Sequence, residues 1–269
     1  MIKTRHLMRL VMPAVIILIT GCQPASVTPA SLSTPGQPVP TQQVNVESPT
    51  PNLPPLAATQ SDPTLDPAEL QLQLLYQSSL AYLAETDDQS WQVAKELGYA
   101  PLGGYPSNMC GPLAISILKD VGILGSAVDL YDFWLLDPLV DYDLLKTIFP
   151  SDDFEWLHTD LPINEIDYQQ FPLKAGDMVY IYSGYQGDYS HVLTVTRVDE
   201  LGRAYSVTNN YTADGFSILE YLLYDPGSPG EGIFYAWPDP ANRELGLTGY
   251  GGMEIWRPLK LPLYSDGTY

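Results

Sequence analysis

Apolar and polar positions along this chain follow two different periods, and the change between them falls near Leu173. Before it the spacing is helical. Asp66 and Pro67 precede AELQLQLLYQSSLAYLAE, where a capping residue, a proline at the first helical position and apolar residues three and four apart predict a helix of about five turns. A second helix, SWQVAKELG, stops at Gly98, a natural C-terminal stop. APLGGYPSNM then supplies Gly103, Gly104 and Pro106 as a loop, and GPLAISILKDVG reads as a buried helix closed by Gly122. Proline is tolerated only in the first turn of a helix, so Pro112 sets the start of this one at Cys110. A further helix, opened by Ser126 with Asp129 as its capping-box-like partner, runs through LYDFWLL.

Beyond Leu173 period two takes over. MVYIY (178–182), VLTVTRV (192–198) and RAYSVTNN (203–210) are strand-like, the last two joined by a tight turn over Asp199, Glu200, Leu201 and Gly202. GGMEIWRP closes the pattern as a last strand, and residues 216–252, rich in Pro, Gly and aromatics, are expected as a lid, a cleft wall or self-packed surface loops. Helices first and antiparallel strands second define an α+β class, N-terminal helices packed on a C-terminal antiparallel sheet. Residues 66–269, roughly 204 of them, suit one domain with a full core.

The N-terminal stretch has a different character. Lys3, Arg5 and Arg9 precede an apolar run from Leu10 to Ile19 that is short for a bilayer span, which predicts an export signal over 1–22. Its end, Ile19-Thr20-Gly21-Cys22, resembles the lipobox of bacterial lipoproteins. That resemblance implies lipidation of Cys22 and an extracytoplasmic protein held to the bacterial cell membrane by its lipid anchor. Residues 23–65 are rich in Pro, Ser and Thr with hardly a charge or aromatic, too little apolar surface to offset the entropy of ordering, and read as a disordered tether. Without the signal the chain carries 9 Lys and Arg against 32 Asp and Glu, a net charge of −23, which disfavours nucleic acid and anionic membrane faces as partners. Asp152, Asp153 and Glu155 lack the spacing of a calcium loop, and no phosphate loop or zinc motif appears, so no metal or cofactor is expected.

With Cys22 accounted for, Cys110 is a lone thiol at a helix N-terminus, where unsatisfied N–H groups and partial positive charge favour a thiolate. A base is then needed. His191, after the glycine-rich SGYQGDYS and at the start of a strand, can expose its ring beside a helix end; His158, in EWLHTDL, has no such frame and reads as a surface or partly buried residue. An imidazolium there would lower the thiol pKa further and keep alkylation fast in mildly acidic buffer. The next strand ends in Thr208-Asn209-Asn210, and an antiparallel return brings an amide back beside the histidine as the group that fixes its tautomer. Alternation with Val207 favours Asn209 over Asn210.

NMCGPLAISIL, LKAGDMVYIY, SHVLTVTRV and RAYSVTNN, in this order, resemble the papain-like cysteine peptidase fold, nearest the bacterial C39-like peptidases, with the NlpC-type and CHAP cell-wall hydrolases as relatives. The resemblance covers about residues 90–215. It implies a thiol hydrolase cleaving peptide or amide bonds of a peptide or cell-wall substrate, with Cys110 as nucleophile, His191 as base and Asn209 as orienter. Such families place a glutamine shortly before the cysteine as an oxyanion donor. Here the sixth residue before Cys110 is Gly104, which leaves Asn108, Tyr105 or Ser107 as substitutes. Two other readings stand beside this one: a catalytically silent papain-like domain that binds a peptide or glycan, and an unrelated α+β fold in which Cys110 is core packing.

Overall fold

The computed structural model describes residues 66–98, 106–184, 190–212, 215–241 and 247–261, with only the backbone of residues 106 and 107 described. All of them belong to one compact unit, Gln60–Tyr269. The expected signal, Cys22, the tether, Gly104 and Tyr105 lie outside the described residues.

Asp66 caps helix α1 (Pro67–Ser79) by accepting the Ala68 N–H on Oδ1 at 3.1 Å. The helix is shorter than its apolar spacing predicts. It tightens into a 3-10 turn over Leu80–Tyr82, after which Ala84 exchanges backbone hydrogen bonds with Ile218, so this stretch leaves the helix to pair with a strand. Helix α2 (Asp87–Glu96) begins ahead of the expected Ser90 because Thr86 and Gln89 form a reciprocal capping box. Gly98 and Gly122 end their helices with φ of 78° and 68°, the left-handed conformation that glycine adopts without steric cost.

Helix α3 (Cys110–Asp120) is buried all round from Gly111 to Leu118, as an apolar helix without a polar face must be. Gly111 permits this packing: a Cβ there would lie 1.9 Å from the Phe133 carbonyl oxygen. The expected helix through LYDFWLL is instead a single 3-10 turn, Leu130–Phe133, capped by Asp129, whose Oδ1 accepts the Tyr131 N–H at 2.9 Å; Ser126 has no part in the cap. Its Phe133 carbonyl runs against Gly111 in the first turn of α3. A short helix, α4 (Tyr142–Ile148), follows.

Among the described residues the strands form two antiparallel sheets. β1 (Phe154–Thr159), β2 (Met178–Ile181), β3 (His191–Thr194) and β7 (Met253–Pro258) make a four-stranded sheet in the order β1-β7-β2-β3. β4 (Arg197–Val198), β5 (Ala204–Thr212) and β6 (Gly215–Tyr224) make a three-stranded one. The fold is α+β, and residues 216–252 contribute most of β6 and a one-turn helix, α5 (Ile233–Ala236), where a lid or surface loops were expected. β2 is buried on both faces, so its alternation divides the core in two. Met178 and Tyr180 join Val192, Trp256 and α3, whereas Val179 and Ile181 join Leu193, Ile255, Leu223 and Phe234. Fully burying each such aliphatic or aromatic side chain stabilises the fold by about 1.5–3 kcal/mol.

Asp177 of the Gly-Asp segment pins the start of β2. Fully buried, it accepts Arg257 Nε at 2.9 Å and Nη2 at 2.7 Å, and the Lys174 N–H at 2.8 Å. Burial pushes its carboxyl up, while the hydrogen bonds and charge of Arg257 pull it down.

Candidate functional site

Cys110 is the first residue of α3, as Pro112 required. α3 lies along β3, held by Thr194 Oγ1 donating to the Ala114 carbonyl at 2.9 Å. This brings the helix start to the strand start. The backbone N–H groups of Val192, Gly111 and Cys110 itself act on the sulfur, and Val192 directly follows His191. Cys110 is a free thiol that retains some surface exposure. The structure therefore juxtaposes the expected nucleophile and the strand that carries the expected base.

The His191 ring has two described partners. Nε2 hydrogen-bonds Thr208 Oγ1 at 2.8 Å, and the edge of Trp237 packs on the ring at 4.9 Å between centroids, at 62°. Trp237 Nε1 in turn donates to Asn210 Oδ1 at 3.2 Å. Along β5 the residues facing the histidine are thus Thr208 and Asn210. Asn209, 2 % exposed, lies on the opposite face with Val207, which belongs to the core around α3. The alternation that pairs Asn209 with Val207 holds, and the hydrogen bond to His191 Nε2 comes from Thr208, one residue earlier on the other face of the strand. β3 and β5 belong to different sheets, so in-sheet parity does not carry across.

The electrostatics also differ from expectation. Burial pushes the Cys110 thiol up, against the three backbone N–H groups that pull it down. Burial pulls His191 down to about 4, so its ring is neutral at ordinary pH. No hydrogen bond joins Cys110 Sγ to His191 among the described residues. The helix end does favour the thiolate, but removing the sulfur from water outweighs it, and a neutral imidazole supplies no compensating charge. At rest the pair is thiol and imidazole.

Of the expected oxyanion donors, Asn108 is half-buried in the 3-10 turn Pro106–Met109 that leads into Cys110; Tyr105 and the Ser107 side chain lie outside the described residues. His158 is in β1, stacked on Trp156 at 5.9 Å, with Nε2 2.8 Å from Asp160 Oδ1 and Nδ1 3.9 Å from Glu254 Oε1. It belongs to a separate network in which Glu254, 8 % exposed, accepts Trp156 Nε1 at 3.1 Å and the Tyr182 hydroxyl at 2.8 Å. Burial and then Glu254 push the Tyr182 hydroxyl up. Sequence reasoning missed Thr208 and Trp237. The first had a signal, since it stands in the same TNN strand end; the second, far along the chain, had none. Among the described residues no group of three or more His, Cys, Asp or Glu side chains is arranged to hold a metal ion, and no helix is long and apolar enough to cross a membrane.

The fold and this site define an α+β protein with a partly exposed lone thiol at a helix start and a neutral, oriented histidine at the adjoining strand start. Comparison of the chain with known protein families, curated proteins and solved structures finds no match.

Proposed function

We propose that this chain is a cell-surface lipoprotein of papain-like fold that hydrolyses peptide or amide bonds in secreted or cell-wall peptides, anchored to the bacterial membrane through Cys22. The single observation that carries the reading is the meeting of α3 and β3: the Cys110 sulfur against the Val192 N–H, with His191 one residue before it and held by Thr208 at Nε2. Thr208 Oγ1 occupies Nε2; in the tautomer that carries its proton on Nε2 the lone pair is on Nδ1, which then takes the thiol proton. Because the resting pair is neutral, His191 acts as a general base during attack. Sγ adds to the substrate carbonyl as its proton passes to Nδ1, the imidazolium returns that proton to the leaving amine, and water, deprotonated by His191, hydrolyses the thioester. The backbone N–H of Cys110, with Asn108 or Tyr105, supplies the oxyanion donors in place of the absent glutamine.

The test is amine release from casein and from purified cell-wall peptide by the mature chain. Activity abolished by Cys110→Ala and by His191→Ala supports the reading; activity that survives both overturns it. The raised thiol and the missing thiol–imidazole hydrogen bond favour a second reading, a papain-like domain that binds peptide or glycan without cleaving it. That reading expects saturable binding unaltered by Cys110→Ala and no amine release.

A further inference from the structure

Residues 129–143, DLYDFWLLDPLVDYD, combine two properties that a solvated loop does not need together. Leu135, Leu139 and Val140 are 72 %, 80 % and 77 % exposed, and Tyr131 and Tyr142 are exposed beside them. Exposed aliphatic side chains at this density mark interaction surfaces in soluble proteins. Interleaved with them are Asp129, Asp132, Asp137, Asp141 and Asp143, none of which is in an ion pair among the described residues. The nearest lysines along the chain make no ion pair with these carboxylates among the described residues: Lys119 Nζ donates to the Val128 carbonyl beside the segment, and Lys146 lies 4.0 Å above the Tyr142 ring, a single cation at its edge against five carboxylates.

The segment adjoins the thiol. The Phe133 carbonyl is packed against Gly111, the residue after Cys110. Asp137 and the Cys110 sulfur both lie within electrostatic reach of the same Tyr180 hydroxyl. We infer that residues 129–143 form a docking surface for a cationic, apolar peptide, which they hold beside Cys110. Charge complementarity selects this occupant. The chain's own 23–65 segment has no Lys or Arg to offer, a second copy brings the same excess of acid, and an anionic membrane face is repelled. That the bound peptide is a substrate rests on the hydrolase reading; the binding itself needs no working thiol.

The experiment therefore uses the mature chain carrying Cys110→Ala. Fluorescence anisotropy follows binding of a labelled twelve-residue peptide of alternating Lys and Leu, with Glu/Leu and Lys/Ser peptides as controls. The expected result is saturable binding of the Lys/Leu peptide, about tenfold weaker for either control and for Leu135→Ser/Leu139→Ser/Val140→Ser, and weakened on going from about 0.05 M to about 0.5 M salt. Should the triple variant lose its native circular dichroism, Asp132→Asn/Asp143→Asn, at two exposed positions, is expected to weaken binding at low salt only. Equal binding by wild type and both variants overturns the proposal, as does equal affinity for the Glu/Leu peptide. Self-association, or binding to phosphatidylglycerol vesicles in place of the peptide, that the triple variant abolishes would also overturn it. Amine release plays no part in this measurement, so failure of the hydrolase reading and failure of this surface give different results.

Discussion

A histidine whose ring is neutral down to about pH 4 makes the stability of this protein depend on pH in a defined window. Unfolding returns His191 to an ordinary value near 6.5, so between about 4 and 6.5 the unfolded chain binds a proton that the folded one does not. Stability is therefore full above pH 6.5, falls as the pH is lowered towards 4, and loses nothing further to this residue below that. The gap, at about 1.36 kcal/mol for each tenfold difference in proton affinity, amounts to about 3 kcal/mol. Because His191 as a whole residue is only half-buried, about 2 kcal/mol is the working figure. The assay is urea unfolding of the mature chain at a series of pH values from about 4 to about 7.5, beside His191→Gln. Carboxylates titrate in both proteins and cancel in the difference; only the His191 contribution remains. The chain has three histidines, of which only His158 and His191 lie beyond residue 22, so an NMR titration of the imidazole protons of residues 23–269 reads the same pKa directly. A His191 that titrates at 6.5 or above, or two unfolding curves that stay parallel across the window, would refute the claim that burial holds this base neutral.

Four further outcomes are expected. In Cys22→Ser protein, where Cys110 is the only thiol, alkylation by iodoacetamide is slow at pH 6 and accelerates only above the ordinary thiol range, because burial pushes the thiol up; fast reaction at pH 6 would contradict this. Thr208→Val keeps the shape of a fully buried side chain but leaves His191 Nε2 without its hydrogen-bond partner, at a cost of about 1–3 kcal/mol in urea unfolding; under the proposed hydrolase reading it also lowers the rate of amine release more than it raises KM. Asp177→Ala leaves Arg257 without its bidentate partner and is expected to destabilise by about 3–5 kcal/mol, visible as a lower urea midpoint. Gly111→Ala forces the Phe133 backbone off α3, since the added Cβ would meet its carbonyl oxygen at 1.9 Å, and a native circular dichroism spectrum with an unchanged urea midpoint would contradict that packing.

What the sequence determined by itself is local. Pro112 puts the start of α3 at Cys110, Asp66 caps α1, Gly98 and Gly122 end their helices, and the period-two run at 178–182 contains β2, while the one at 192–198, expected as a single strand, is divided between β3 and β4 of different sheets. Each follows from backbone conformation or side-chain alternation within a few residues, so no distant contact is needed to read it. β1 and β6 escaped because their burial comes from partners far along the chain: Phe154 meets Pro258 and Ile218 meets Ala84, and neither strand alternates strictly. The site divides in the same way. That a thiol starts a helix and a histidine starts a strand was legible. Which face of β5 meets that histidine depends on how two separate sheets abut, and it falls to Thr208 and Asn210 with Trp237, while Asn209 faces the core around α3. The protonation states were beyond sequence for a related reason. A helix end and a neighbouring ring can be inferred from spacing, but desolvation is set by everything packed around them, and here it outweighs the helix end and leaves both groups neutral.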